Sequence, residues 1–101
     1  MDVYNITDRD KQVIQTILSK HIDPQKYSAY IFGSRATGHA RKYSDVDMAI
    51  ESQSPLSASK LFEIEDAFEH SDLPFIVEIV EMKNTSQKFA GVAKEHIIPL
   101  F

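Results

Sequence analysis

A chain of 101 residues is long enough for one domain with a modest core, and 43% hydrophobic with 26% charged residues is the composition of a soluble globular protein, not a disordered one. The absence of cysteine excludes disulfides and thiolate metal sites, and no apolar run is long enough for a membrane span or a signal-peptide core, a combination that fits a cytoplasmic protein. The formal net charge of -4 argues against extended DNA or RNA binding, because proteins that wrap a phosphate backbone are usually basic; a small phosphate-bearing ligand remains allowed if metal ions reverse the local sign.

No internal repeat, low-complexity tract or Gly/Pro-rich linker interrupts the sequence, so residues 1–101 read as a single domain. Thr7, with Asp8 and Asp10 behind it, makes a helix start with an oxygen cap and acids in the first turn. Val13, Ile14, Ile17, Leu18 and Ile22 then fall on one helical face, and Asp23-Pro24 ends the element. Residues Ser28–Phe32 are a short apolar run with two aromatics, a strand that stops at Gly33. A polar segment, Gly33 to Ser44, leads into a second strand, Asp45 to Ile50, with acids on alternate positions. Leu56, Leu61, Ile64, Ala67 and Phe68 have helical spacing, with Ser57 or Ser59 as cap. Asp72-Leu73-Pro74 punctuates, and Phe75 to Val80 is a third strand. Phe89, Val92, Ala93 and Ile97 suggest a last helix, followed by Pro99. The expected fold is α+β, a small mixed three-stranded sheet covered by helices mainly on one face.

The chemistry concentrates in Gly33-Ser34-Arg35-Ala36-Thr37-Gly38 and in Ser44-Asp45-Val46-Asp47. A glycine directly after a strand lets a phosphate approach the main chain with no Cβ in the way. A helical turn beginning at Ser34 would aim N–H groups at that phosphate, and the Ser34 hydroxyl adds a donor. Asp45 and Asp47 are two apart on a strand and project from the same face. Two neighbouring carboxylates repel, and a hard divalent cation such as Mg²⁺ removes the repulsion. The same pair also reads as a charged face that protects an edge strand. Glu78, set among apolar residues in the third strand, either faces solvent or has a strong partner; beside the Asp45–Asp47 strand it would complete an acidic triad able to hold two metals. Glu81, three positions on, points to the other face. Arg35 and Arg41 read as phosphate contacts, as contacts to an acidic partner or as solvated loop cations. His39 lacks a metal-binding companion at ligand spacing, His21, His70 and His96 lie near predicted helix ends where the dipole favours them, none of the four is assigned a catalytic role, and Tyr43 either stacks on a base or packs.

This run resembles the Gly-Ser…Ser-Asp-x-Asp signature of the polymerase-β-like nucleotidyltransferase superfamily, in detail over residues 28 to 81 and in element order over the whole chain. Its small size is similar to the minimal nucleotidyltransferase (MNT) group. The resemblance implies that Gly33 and Ser34, flanked by Arg35 and Ser44, hold the triphosphate of ATP. It implies that Asp45, Asp47 and Glu78 bind two Mg²⁺ ions, with Mn²⁺ as a substitute, and carry catalysis. That group often acts as antitoxin to an all-helical HEPN partner, in some cases by transferring AMP to a tyrosine of the toxin. One departure is present: the third acid is Glu78, where the family usually has aspartate. A binding module that neutralises a toxin by covering it is therefore the second expectation. A small-molecule modifier is a third, but such enzymes usually carry a further acceptor domain. This chain ends 20 residues after Glu81, so the acceptor site is expected to be completed by another chain.

Overall fold

The computed structural model describes residues 6–37, 44–52, 54–81 and 96–101. Helix α1 spans Asp8–His21. Thr7 caps it, its hydroxyl accepting from the Asp10 N–H at 3.1 Å, while Asp8 and Asp10 face the positive end of the helix dipole and Lys20 and His21 the negative end. The chain leaves α1 through a turn built by Asp23, whose side chain accepts from Gln25 N–H and whose carbonyl accepts from the Lys26 and Tyr27 N–H groups. Strand β1 is Ser28–Phe32, followed by the single helical turn α2, Ser34–Thr37. Strand β2 is Val46–Glu51. Helix α3, Ala58–Glu69, is capped by Ser57, which accepts from Lys60 N–H at 3.1 Å. Strand β3 is Val77–Glu81 and β4 is Ile98–Pro99.

The four strands form one sheet in the order β3-β2-β1-β4. β1 runs antiparallel to β2 and to β4, whereas β2 and β3 are parallel. A parallel pair needs a crossover, and α3 supplies it. Side chains on alternate strand positions point to opposite faces. On one face Ala29, Ile31, Val46, Met48 and Ile50 pack with Ile14 and Leu18 of α1 and Ile64 and Phe68 of α3. Each of the larger of these side chains, once fully buried, stabilises the fold by about 1.5–3 kcal/mol. On the other face Tyr30, Phe32, Ala49 and Val80 form a smaller cluster.

The α+β class and the helix-covered face agree with the sequence. The strand count does not: there are four strands, not three, because Ile98–Pro99 pairs with Tyr30 and Ile31 at the sheet edge. Ile97, assigned above to a last helix, is partly exposed just before this strand. A two-residue strand has no periodicity to detect, and proline is tolerated at an edge, where one side of the strand makes no ladder bonds. Phe89, Val92 and Ala93 lie outside the described residues, as do Gly38, His39, Arg41 and Tyr43.

Candidate active site

The site begins where β1 ends. Gly33 has φ +75°, a left-handed conformation that glycine adopts without steric cost, and this turns the chain from strand into α2. Its carbonyl accepts from the Ala36 and Thr37 N–H groups and closes that turn. The space beside Gly33 is also occupied: a Cβ there would overlap Oδ2 of Asp47 and lie 3.3 Å from its Cγ. The Gly33 turn and the second aspartate are therefore in direct contact.

Register assembles the rest. Phe32 pairs with Asp47 across the antiparallel β1–β2 ladder, and Asp47 pairs with Glu78 across the parallel β2–β3 ladder. Asp47 and Glu78 thus stand side by side on the face that carries Tyr30, Phe32 and Ala49. The Asp47 carboxyl is pushed above the ordinary aspartate range, chiefly by burial, then by the charge of Glu78, a hydrogen bond with Glu78 and the charge of Asp45. Asp45 is exposed and precedes the first residue of β2.

Arg35 is buried, at 4% exposure. Its Nε and Nη2 both donate to the Ser44 carbonyl, at 3.2 and 2.7 Å, and its guanidinium carbon sits 4.7 Å from the centre of the Phe75 ring. Burial lowers its pKa, and the charge of Asp10 opposes that shift. The sequence held no sign of these contacts, since an arginine after Gly-Ser looks the same whether it meets a phosphate or a carbonyl. The aromatic pair Tyr30 and Phe32, edge to face at 6.4 Å, was legible from the alternation in β1 as sharing a face, but which face was not.

Glu81 lies opposite Ile50 on the helix-covered side, and its Oε2 accepts from the Leu56 N–H at 3.0 Å. It tethers the approach to α3 and stands apart from the acid pair. Glu81→Ala is expected to cost about 1–2 kcal/mol, measured by urea unfolding, because a part-buried N–H loses a charged acceptor. A cavity lined by Gln25, Lys26, Tyr27, Ser52 and Ser54 lies at the far end of β1 and β2 from Asp47 and takes no part in the site.

Among the described residues, no three acidic, histidine or cysteine side chains are gathered as a ready-made metal cage. The donors nonetheless suit a divalent cation. Asp47 and Glu78 offer hard oxygens, Asp45 adds charge, and the upward pull of burial and neighbouring acids on the Asp47 carboxyl marks a place where negative charge lacks compensation. Among the described residues no helix is long and apolar enough to cross a membrane.

Known proteins are similar to this chain in sequence and fold. The probable protein adenylyltransferase MntA of Haemophilus influenzae is 34% identical over 91 residues, which is 90% of this chain and 78% of the relative. A crystal structure of a toxin-antitoxin with AMP-PNP matches with a TM-score of 0.72 at 22% identity, over 94% of this chain and 73% of that one. A complex of tri-AMPylated Shewanella oneidensis HEPN toxin with MNT antitoxin matches with a TM-score of 0.60 at 20% identity, over 90% and 71%. The family profile described as "Polymerase beta, Nucleotidyltransferase" matches residues 11–100, from the first turn of α1 to just past β4, and so the chain that places Gly33 against Asp47 and Asp47 beside Glu78 belongs to the polymerase-beta nucleotidyltransferase family.

Proposed function

We propose that this protein transfers AMP from ATP to a hydroxyl of a partner protein, and that the partner is a helical HEPN-type toxin that it counteracts. The observation that carries the reading is the contact of Gly33 with the Asp47 carboxylate, which sets the Gly33-Ser34 turn directly against the acid pair Asp47–Glu78 and supports a triphosphate held between them. The likeness to MntA and to toxin–antitoxin complexes supports the acceptor class.

In this mechanism the main chain at Gly33 and the Ser34 hydroxyl hold the β and γ phosphates, with Ser44 beside them. Asp45, Asp47 and Glu78 would hold two Mg²⁺ or Mn²⁺ ions, which supply charge neutralisation of the triphosphate and of the leaving pyrophosphate. The acceptor oxygen forms a bond to the α-phosphorus as the bond from that phosphorus to the bridging oxygen of the β-phosphate breaks. The hydroxyl proton passes to the Glu78 carboxylate, which is exposed and open to an acceptor. Catalysis of this kind rests on positioning and charge stabilisation.

Glu78→Gln is expected to lower transfer about 10²-fold while the affinity for a non-hydrolysable ATP analogue changes little, since Asp45 and Asp47 still face the triphosphate. Glu81→Gln is expected to leave transfer within about twofold, because its carboxylate holds Leu56 on the opposite face. Steady-state AMP transfer by the two variants checks both statements, and a larger loss from Glu81→Gln contradicts the assignment.

The function itself is tested by incubating the chain with the product of its neighbouring gene, ATP and Mg²⁺, and weighing that product by mass spectrometry. A gain of one or more AMP units, absent with Asp47→Asn, is the expected result. Equal neutralisation by the Asp45→Asn/Asp47→Asn double variant with no mass gain would overturn it and leave a binding module.

A further inference from the structure

We infer that Arg35 is a positioning residue that locks the Ser44–Asp45 peptide against the start of β3, and not a ligand of the triphosphate. This rests on the nucleotidyl-transfer reading above. One side chain touches all three segments that carry the site. Arg35 belongs to α2, directly after Gly33 and Ser34. Its Nε and Nη2 both donate to the carbonyl of Ser44, the residue before Asp45. Its flat face covers Phe75, three residues before Glu78. Next to this contact the Val46 N–H donates to the Ile76 carbonyl at 2.8 Å, so the β2–β3 pairing starts where the guanidinium sits.

The chemistry of the group explains why arginine fits here. A planar fork can place two N–H groups on one carbonyl and stack on a ring at the same time; an ammonium is a point charge and fixes no orientation. A buried cation is tolerated only with such compensation. At 4% exposure the guanidinium lies within the protein, not on a surface presented to solvent. The residue that gains most is Asp45. It precedes Val46, the first residue of β2, so no strand ladder holds it. The peptide joining it to Ser44 is oriented by the Arg35 bonds.

Arg35→Met, Arg35→Lys and Phe75→Leu in the full chain test this, with folding checked by circular dichroism. Binding of α,β-methylene-ATP is measured by isothermal titration in EDTA and again with Mn²⁺. The expected result is affinity in EDTA within about threefold of wild type for all three variants, and a gain on adding Mn²⁺ that shrinks about tenfold or more in both Arg35 variants and less in Phe75→Leu. A triphosphate ligand would behave differently. Arg35→Met would then weaken binding in EDTA about tenfold or more, and Arg35→Lys, which keeps the charge, would restore most of it; that result overturns the inference. Amide NMR spectra of Arg35→Lys give a reading independent of metal and nucleotide. Displaced signals at residues 44–47 and 75–78 support the positioning role, and changes confined to 34–37 overturn it. Wild-type protein that gains nothing from Mn²⁺ would sink the metal reading alone, and the amide pattern would still decide the role of Arg35.

Discussion

Asp47→Asn is expected to abolish AMP transfer, by about 10³-fold or more, and at the same time to stabilise the ligand-free protein. The first effect follows from position. Asp47 touches Gly33 on one side and stands in register with Glu78 on the other, so it is the acid through which the phosphate turn and the third strand meet. The second effect follows from its raised pKa. Burial and the charges of Glu78 and Asp45 make the folded chain hold the Asp47 proton more tightly than the unfolded chain does. Stability therefore falls as pH rises from the ordinary aspartate value near 3.8 through the raised one. Asparagine keeps the shape and removes the charge. Because the group is only half-buried, solvent screening limits the gain to about 0.5 kcal/mol, or roughly 2–4 °C in melting temperature. With Mg²⁺ and a non-hydrolysable ATP analogue the order reverses, since the wild type gains more from the ligand. Thermal melts at pH 7 with and without those ligands check this. A variant that melts below wild type in the absence of ligand would contradict the unfavourable charge assigned to Asp47.

Gly33→Ala is expected to damage both stability and transfer. At φ +75° any L-residue is strained, at a cost of about 1–2 kcal/mol. The new methyl would also overlap Oδ2 of Asp47, so the carboxylate or the turn must move. The combined loss is expected to be about 1–3 kcal/mol, or 5–15 °C in melting temperature, and a displacement near 1 Å at a reacting centre costs about 10² in rate. A double-mutant cycle separates the two causes. In an Asp47→Ala background the side-chain overlap is gone but the backbone strain remains. Gly33→Ala should then cost about 1 kcal/mol less than it does in wild type. Strict additivity of the two substitutions would show that the turn and the aspartate are not in contact in solution.

Much of this architecture was legible in the residues themselves. Thr7 announces the start of α1, and Ser57 or Ser59 that of α3, because a capping oxygen acts on N–H groups two or three residues away; the structure selects Ser57. Ile14, Leu18, Ile64 and Phe68 announce the buried faces because helical periodicity is local. The opposite orientations of Glu78 and Glu81 follow from strand alternation, which needs no knowledge of the rest of the chain. Other features depend on contacts between residues distant in sequence. That Asp47 pairs with Glu78, and not with Val77 or Ile79, is set by how α3 packs as it carries the chain from β2 to β3. The pairing of Ile98–Pro99 with β1 rests on two residues with no periodic signal of their own. The guanidinium of Arg35 meets Ser44 and Phe75 only once the loop has returned and β3 has docked. The sequence by itself determined that Asp47 and Glu78 each lie on a strand, that Glu78 and Glu81 point to opposite faces and that a turn follows β1 at Gly33, while Asp45, expected on the same strand face as Asp47, lies just before β2. The tertiary structure decided the register that joins Asp47 to Glu78, the contact that makes Gly33 irreplaceable and the carbonyl that occupies Arg35, because those depend on long-range packing that no local pattern encodes.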